Sequence, residues 1–258
     1  MPVTVGVQLQ PQHAPLDAIR QAAIDAEALG ADAIYTWDHF YPLYGEPDGE
    51  HYEGISTLSM IAAVTSKANV GLLVACNSYR NPELLADAHR TIDHISGGRT
   101  ILGVGAGWFE RDYDEYGYEF GTAPERLRAL GEALPRIESR LSKLNPGPVN
   151  GKLPIMIGGA GPKVTLKLVA KHADWWHSFG DPDVYREKSA ILAEHCAREG
   201  RDPSEIKRAW GMHTGLMKNV DELADAGVDQ IIVGIDGQSG YDLEIVQRLI
   251  DWRDSRNG

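Results

Sequence analysis

The sequence predicts one (β/α)8 barrel, a TIM barrel, that spans residues 1–258 as a single domain. Short apolar or β-branched runs alternate strictly with longer segments of helical periodicity, and there are eight of each. Strict alternation requires parallel strands, because each crossover returns the chain to the same end of the sheet. The length of 258 residues and the 43% content of hydrophobic residues suit one such barrel. A doubly wound open sheet would alternate in the same way, but it usually opens with a phosphate loop that Pro11–Pro15 does not supply.

The predicted strands are short runs bounded by Gly, Asn or Asp. In chain order they cover Val3–Leu9, Ala33–Trp37, Val70–Cys76, Thr100–Val104, Pro154–Gly158, Trp175–Phe179, Arg208–Met212 and Gln230–Gly234. Trp175 and Trp176 lie within one of these runs and are interpreted as core residues of the strand.

The predicted helices have recognisable start and stop signals. Gly30 ends the first helix, Gly97 and Gly98 end the third, and the pairs Asn81-Pro82 and Gly161-Pro162 open helices. The helices cover Leu16–Leu29, Ser56–Ser66, Pro82–Ile95, Arg126–Leu144, Lys163–His172, Pro182–Glu199, Asp221–Ala226 and Leu243–Arg253.

Charge and cysteine content narrow the class of protein. Lys and Arg number 25 against 37 Asp and Glu, and the net charge of −12 repels nucleic acids and anionic membrane surfaces. An anionic ligand must therefore be held by local groups. Two cysteines, Cys76 and Cys196, are too few for a disulfide framework and are not spaced as a metal site. We find no N-terminal segment that combines a basic start with an apolar stretch, and no apolar run of the roughly 18 to 20 residues that a membrane span needs. The sequence therefore predicts a cytoplasmic protein.

Two irregular segments follow predicted strand ends, where barrel enzymes carry their chemistry. They are Tyr41–Gly54, rich in Gly, Pro and acids, and Gly107–Pro124, rich in aromatic and charged residues. The acids of the first segment lack a ligand spacing typical of hard cations, so we interpret it as a solvated loop and predict no metal site. The connection Asn145–Lys152 precedes a strand and is expected at the opposite face of the barrel.

The pair Asp38-His39 follows the second predicted strand. A carboxylate beside an imidazole can hold the polar edge of a cofactor with one group and transfer a proton with the other. In the alternative interpretation, the carboxylate caps the loop and His39 binds a backbone carbonyl.

Two further strand ends are rich in glycine. In Gly103–Trp108, the glycines allow the backbone to approach a ligand closely and Trp108 offers an aromatic wall. In Ile157–Lys163, the free N–H groups of a helix start and the Lys163 ammonium favour an anion. Ordinary turn structure is the alternative at both places.

Taken together and in this order, four segments resemble the luciferase-like monooxygenase superfamily. Within that superfamily they resemble the branch of hydride transferases that use the deazaflavin F420. They are Gly30–His39, Ala62–Thr65, Arg80–Arg99 and Gly103–Trp108. The likeness continues through Arg126 and Leu153–Trp176, and it covers about residues 1 to 180 well. Its specific part is the run Thr-Ile-Asp-His-Ile-Ser-Gly-Gly-Arg followed by Gly-x-Gly-x-Gly-Trp.

The resemblance implies a cofactor in the mouth of the barrel. Asp38 would lie near the deazaflavin, and His39 near the substrate as proton donor or acceptor. A non-prolyl cis peptide would form a bulge on the third strand at Leu73-Val74, and the cofactor ring would rest against it. The implied cofactor-binding residues are Asp38, Leu73, Val74, Ala75, Gly105, Gly107, Trp108, Gly158, Gly159, Ala160, Gly161 and Lys163. The family usually dimerises, so a homodimer is expected.

The chain also departs from the F420-dependent sugar-phosphate dehydrogenases of this family. Where those enzymes carry a Trp and an acid, this sequence has Leu43 and Ala106, which disfavours sugar-phosphate oxidation. Gly215–Val220, after the seventh strand, is too short for a large lid, so the pocket is expected to be open or completed by a partner subunit.

These observations predict an F420-dependent oxidoreductase that moves a hydride to or from a small organic substrate. An FMN-dependent monooxygenase and a cofactor-binding protein without turnover are the alternatives. Five cations near predicted strand ends or helix starts are candidates for the negatively charged F420 tail: Arg80, Arg99, Arg111, Lys163 and Lys167.

Overall fold

The computed structural model describes residues 2–212 and 214–258. Its strands are all parallel and form one closed barrel, so the alternative of an open doubly wound sheet is wrong. The strands are β1 Thr4–Leu9, β2 Ala33–Thr36, β3 Asn69–Leu72, β4 Ala75–Cys76, β5 Thr100–Gly105, β6 Ile155–Gly158, β7 Trp175–Phe179, β8 Lys207–Met212 and β9 Gln230–Ile235. They pair in the order β3-β2-β1-β9-β8-β7-β6-β5-β4, and a direct pairing of β3 with β5 closes the circle.

The predicted third strand is divided into β3 and β4, which share one position in the barrel. Gly71 is in register with Ile101, and Ala75 with Val104. Four residue steps on this strand therefore oppose three on β5, which defines a bulge. The peptide bond Leu73-Val74, between the two halves, is cis, as the resemblance implied. Counted as one position, the two halves confirm the (β/α)8 barrel.

Helices follow the strands around the outside of the barrel. They are α1 Leu16–Leu29, α2 Gly54–Val64, α3 Pro82–Ser96, α4 Glu110–Tyr116, α5 Ala123–Leu141, α6 Thr165–His172, α7 Pro182–Glu199, α8 Val220–Asp225 and α9 Glu244–Asn257. No helix in the described residues combines the length and apolar character needed to cross a membrane.

Three helices begin two or three residues from their predicted starts, and α4 was not predicted. α2 begins two residues early, at Gly54, because the Glu53 side chain caps it. α5 begins three residues early, because Thr122 and Glu125 form a capping box around its first turn. α6 begins at Thr165, two residues late, because residues 162–164 form a turn. Lys163, which was predicted to open that helix, therefore lies in the turn before it.

The core has two layers because successive side chains of a strand point to opposite faces. Trp175 points into the barrel, where it belongs to a cluster with Tyr35, Met156 and Ile232. Trp176 points outward into the larger layer between strands and helices and is fully buried there. Both tryptophans are core residues, as predicted. The parallel strands end at one mouth of the barrel, and the irregular loops surround it.

Candidate functional site

A cavity of about 550 Å³ opens at this mouth, between the ends of β2, β4, β5, β6 and β7. Its volume is typical of pockets for small molecules and cofactors. The lining includes every predicted site residue except Lys163: Asp38, His39, Leu73, Val74, Ala75, Gly105, Gly107, Trp108, Gly158, Gly159, Ala160 and Gly161. Four loops that are distant in sequence are thus brought together around one space.

His39 is held by a carboxylate that the sequence analysis did not identify. Its Nδ1 lies 2.8 Å from Oδ2 of Asp112. Because an ionised carboxylate only accepts hydrogen bonds, Nδ1 carries the proton of this pair. The neutral ring then keeps the lone pair on Nε2, for which no partner is recorded in the described part of the chain. His39 can therefore exchange a proton with a ligand through Nε2.

Asp112 is completely buried and receives three more hydrogen bonds. The backbone N–H groups of Phe40 and Tyr41 donate to Oδ1 at 3.1 and 3.2 Å, and the Tyr79 hydroxyl donates to Oδ2 at 2.8 Å. Burial, with the nearby Cys76 and Asp112, raises the pKa of Tyr79, so its hydroxyl remains a donor. Four donors fix the carboxylate that orients His39. The sequence signal for Asp112 was only its place in the loop after the fourth predicted strand.

Asp38 lines the cavity, but its oxygens are used by protein groups. Arg80 donates to both oxygens at 2.6 and 2.8 Å, and the Cys76 N–H donates to Oδ2 at 2.9 Å. Burial lowers the pKa of Arg80, but attraction by Asp38 and Glu53 outweighs that effect and leaves it raised. Asp38 therefore holds Arg80 and the backbone of Cys76 in place. Its contact with a cofactor stays a prediction.

The bulge on the third barrel strand determines where glycine is needed. A Cβ atom at Gly105 or Gly158 would lie 2.9 Å from Cγ2 of Val74, closer than real Cβ contacts. Glycine at both positions therefore makes room for Val74. The Leu73 carbonyl accepts a hydrogen bond from Gln8 Nε2 at 2.9 Å, which anchors the other side of the bulge.

The loop from β6 to α6 presents free backbone donors. The Gly159 N–H donates to the His177 carbonyl at 2.9 Å. Within the described residues, no acceptor is recorded for the N–H groups of Ala160, Gly161 and Lys163, which precede the helix. The partial positive charge of a helix start adds to these donors. This edge of the cavity can bind an anion, although the exposed side chain of Lys163 does not line the cavity itself.

Three of the five candidate cations have other partners. Arg80 pairs with Asp38 and Glu53, and Arg111 pairs with Asp48. Arg99 binds the carbonyls of Ala62 and Thr65 at the opposite end of the barrel, because it precedes β5 instead of following it. Arg99 was therefore wrongly placed near the mouth. Lys163 and Lys167 remain as candidates.

Aromatic rings surround His39 and the rim of the cavity. The ring centroids of Trp37, Trp108 and Phe109 lie 5.9, 5.7 and 5.5 Å from that of His39. Trp108 and Phe179 line the cavity but are 63% and 66% exposed. Such exposed rings at a cavity rim are suited to cover a flat ligand and to exclude water from it.

His177 on β7 is a second lining residue that the sequence analysis missed. Burial lowers its pKa to about 4, so it is neutral near pH 7. A signal for it existed, because it lies two residues after the inward-pointing Trp175 and shares its face of the strand. Cys76 also lines the cavity, but burial raises its pKa and keeps the thiol protonated, which argues against a nucleophile.

The fold and cavity define a barrel protein whose ligand site lies at the carboxyl ends of its strands. The sequence profile described as luciferase-like monooxygenase matches residues 1–249. The chain therefore belongs to the luciferase-like monooxygenase family.

The proteins that are similar to this chain in sequence include F420-dependent enzymes. The chain is 27% identical over 226 residues to the F420-dependent glucose-6-phosphate dehydrogenase of Kineococcus radiotolerans, covering 80% of this chain and 66% of that protein. It is 26% identical over 257 residues to an uncharacterized protein of Mycobacterium tuberculosis, covering 88% and 91%. Among solved structures, an F420-dependent secondary alcohol dehydrogenase in complex with an F420-acetone adduct superposes with a TM-score of 0.85 at 17% identity, covering 97% of this chain and 99% of that one.

Proposed function

We propose that this protein is an F420-dependent oxidoreductase that transfers a hydride between the deazaflavin and a small organic substrate. The observation that carries the proposal is the His39–Asp112 pair, which opens onto a cavity bounded by the Leu73-Val74 bulge and an anion-binding glycine loop. The F420-dependent enzymes among the relatives support it.

The cavity fits such a cofactor in size and in donor chemistry. Leu73, Val74 and Ala75 form a largely apolar wall for a flat ring system. The N–H groups of Ala160 and Gly161 are placed for a phosphate, and the Lys163 ammonium lies beside them in sequence. When bound, F420 supplies a carbon centre that gives or accepts the hydride.

His39 provides the proton that accompanies the hydride. Reduction of a carbonyl group to an alcohol needs one hydride at carbon and one proton at oxygen, and oxidation of the alcohol releases both. Protonated Nε2 donates to the oxygen in the first direction, and neutral Nε2 accepts from the hydroxyl in the second. Asp112 holds the ring orientation and stabilises the imidazolium that forms. It is a positioning residue.

An FMN-dependent monooxygenase is the second candidate, and a specific observation favours it. F420 has a longer and more negatively charged tail than FMN, yet Arg80 and Arg111 are already paired with carboxylates. The backbone N–H groups at the start of α6 also suit the FMN phosphate. A protein that binds the cofactor without turnover is the third candidate, and the short segment after the seventh predicted strand and the missing acid at Ala106 favour it.

Fluorescence titration of the purified protein with F420 and with FMN tests the proposal. We expect tighter binding of F420, and we expect His39→Ala to keep F420 affinity within a few-fold while lowering turnover about 10² to 10⁴-fold. His94→Ala, at an exposed helix position, is the matched control. Tighter binding of FMN would favour the monooxygenase, and F420 binding with no turnover of any substrate would favour the non-catalytic alternative.

A further inference from the structure

Three aromatic rings enclose the imidazole of His39 and hold the plane of that ring. The hydrogen bond to Asp112 fixes one nitrogen, but the imidazole could still turn about that contact. The rings of Trp37, Trp108 and Phe109 stand at 85°, 73° and 86° to the imidazole and block this rotation. Trp108 is 63% exposed, whereas Trp37 is only 5% exposed. Trp37 is therefore the buried wall of the enclosure.

A second histidine, His51, holds Trp37. The indole Nε1–H of Trp37 donates to Nε2 of His51 at 2.9 Å. The two ring planes are within 8° of parallel and their centroids are 6.3 Å apart, so the rings meet edge to edge and the N–H points along the imidazole lone pair. Because an indole nitrogen only donates, the neutral His51 ring carries its proton on Nδ1. Burial, followed by the charge of His39, lowers the pKa of His51 to about 4, so this ring is neutral near pH 7.

The backbone of His51 is fastened to the segment that follows β1. His51 forms an antiparallel bridge with Gln12, and the neighbouring Tyr52 N–H donates to the Pro11 carbonyl at 3.2 Å. Gln12 is fully buried, and its Oε1 accepts a hydrogen bond from the Leu43 N–H at 2.9 Å. His51 is therefore held independently of Trp37 and offers it a fixed acceptor.

The other nitrogen of His51 is left without a partner. Nδ1 is buried, and no hydrogen-bond partner for it is present in residues 2–212 and 214–258. An unpaired buried donor destabilises a fold, and such groups are found where function requires them. Stability alone therefore does not account for a histidine at this position. His51 does not line the cavity at the mouth, so its role is to hold Trp37.

We propose that His51 is a positioning residue for proton transfer, which acts on His39 through Trp37. The Nε2 acceptor of His51 fixes the indole, and the indole fixes the plane of the His39 imidazole. Asp112 fixes which nitrogen of that imidazole carries the proton. Together these contacts direct the lone pair of His39 Nε2 toward the cavity. The inference rests on the proposed function, because it concerns the proton that accompanies the hydride.

Nitrogen NMR of the free, isotope-labelled protein tests the arrangement without cofactor or substrate. At about pH 8, where an ordinary histidine is neutral, we expect His51 and His39 both to carry the proton on Nδ1. In His51→Leu the acceptor is lost, so the His39 Nδ1–H signal should broaden or shift because the ring plane is no longer held. In His51→Gln the amide oxygen can accept the indole N–H, so the signal should stay in its wild-type position. His39→Ala assigns the signal.

Kinetics of the full-length protein with reduced F420 and a panel of small ketones, such as acetone and cyclohexanone, test the consequence. We expect His51→Leu to lower kcat by about tenfold or more, while KM and the affinity for F420 stay within a few-fold. His51→Gln should recover most of kcat. In Trp37→Phe, which lacks the indole N–H, adding His51→Leu should cause no further loss. Additive losses would show that His51 does not act through Trp37.

His13→Asn is the matched control for loosening of the loop that carries His51. His13 Nε2 donates to the Tyr44 carbonyl at 2.7 Å, so it holds the same loop by a contact that does not involve Trp37. Asparagine suits the positive φ of 55° at this position. We expect kcat of His13→Asn to stay within a few-fold of the wild type.

Three further results would each overturn the inference. They are a proton on Nε2 of His51 in the wild type, an unchanged His39 signal in His51→Leu, and a loss of kcat in His51→Gln or His13→Asn as large as in His51→Leu. Failure of F420 to bind would remove the proposed function, whereas the spectra would still show whether His51 positions His39. The two failures are therefore distinguishable.

Discussion

At the scale of single residues, the proton transfer that we propose for His39 depends on a side chain 73 positions away. Asp112 fixes which ring nitrogen carries the proton, and three further donors hold Asp112 in turn. A histidine held in this way loses rotational freedom before the substrate arrives, so its Nε2 is oriented in advance. The Asp112 carboxylate is therefore expected to matter for turnover more than for cofactor binding.

Asp112→Asn should lower turnover by at least about tenfold and change the pH profile of kcat, because the amide can favour the wrong imidazole tautomer. Tyr79→Phe is the matched control: it removes one hydrogen bond to the same carboxylate and leaves the His39 contact in place. Kinetics across pH and F420 titration make the comparison. Equal kcat and an equal pH profile in Asp112→Asn and wild type would reduce Asp112 to a structural role.

Gly161→Asp should weaken F420 binding by about tenfold or more, because the new carboxylate would face the cofactor phosphate at the start of α6. A Cβ atom at this position would lie 2.8 Å from Oγ1 of Thr165, so any side chain perturbs the loop. Gly161→Ala measures that steric part. If both variants lose the same affinity, the phosphate lies elsewhere.

At the scale of structural elements, the divided third strand is the feature around which the cavity is built. Val74 fills the space beside β5 and β6 that side chains at Gly105 and Gly158 would otherwise occupy. Packing across three neighbouring strands therefore sets the shape of the wall that we assign to the cofactor ring.

Gly158→Ala should destabilise the fold by about 1 to 3 kcal/mol, because its methyl group would lie within 2.9 to 3.1 Å of the Val74 methyl groups. Val74→Ala in the same chain removes those methyl groups and should restore part of the loss. Urea unfolding of the two single variants and the double variant gives the coupling free energy. Strictly additive effects would show that the two residues do not contact each other.

Helix α3 carries a buried histidine that makes stability depend on pH. Burial lowers the pKa of His89 to about 4, although Nδ1 donates to the Leu85 carbonyl at 2.9 Å. The ordinary value is about 6.5, so between about pH 6.5 and 4 the unfolded chain binds the proton and the folded chain does not. The free energy of unfolding is therefore unaffected by the titration of His89 above about pH 6.5 and decreases as the pH falls from 6.5 toward 4.

His89→Leu should therefore flatten the pH dependence of unfolding by about 1.4 kcal/mol per pH unit, the slope that corresponds to one proton. Urea unfolding between about pH 6.5 and 4.5 measures it. Burial also lowers the pKa values of His51 and His177 to about 4. In the variant, the free energy of unfolding should therefore still rise with pH, but less steeply. If the free energy of unfolding depends on pH equally in the variant and the wild type, His89 does not cause the pH dependence.

Local sequence patterns predicted the elements well and the contacts between them poorly. The alternation of strands and helices follows from hydrophobic period and turn residues, and the barrel and family were confirmed. Val70–Cys76 is apolar throughout, so its division into β3 and β4 was visible only through the family resemblance. Asp112 depends on a contact across 73 residues, which no local pattern encodes.

At the scale of the whole molecule, a chain of net charge −12 must hold an anionic cofactor by local groups. We propose that the backbone N–H groups at the start of α6 serve this purpose, with Lys163 in the adjacent turn. The expected homodimer and cytoplasmic location remain predictions. Light scattering of the purified protein would measure the oligomeric state.

The most direct test of the account is a crystal structure of this protein with F420. We predict that the deazaflavin ring lies against Leu73 and Val74, that its reactive carbon faces the space beside His39 Nε2, and that its phosphate receives hydrogen bonds from the Ala160 and Gly161 N–H groups. F420 bound outside this cavity, or FMN alone occupying it when both cofactors are present at equal concentration, would contradict the account.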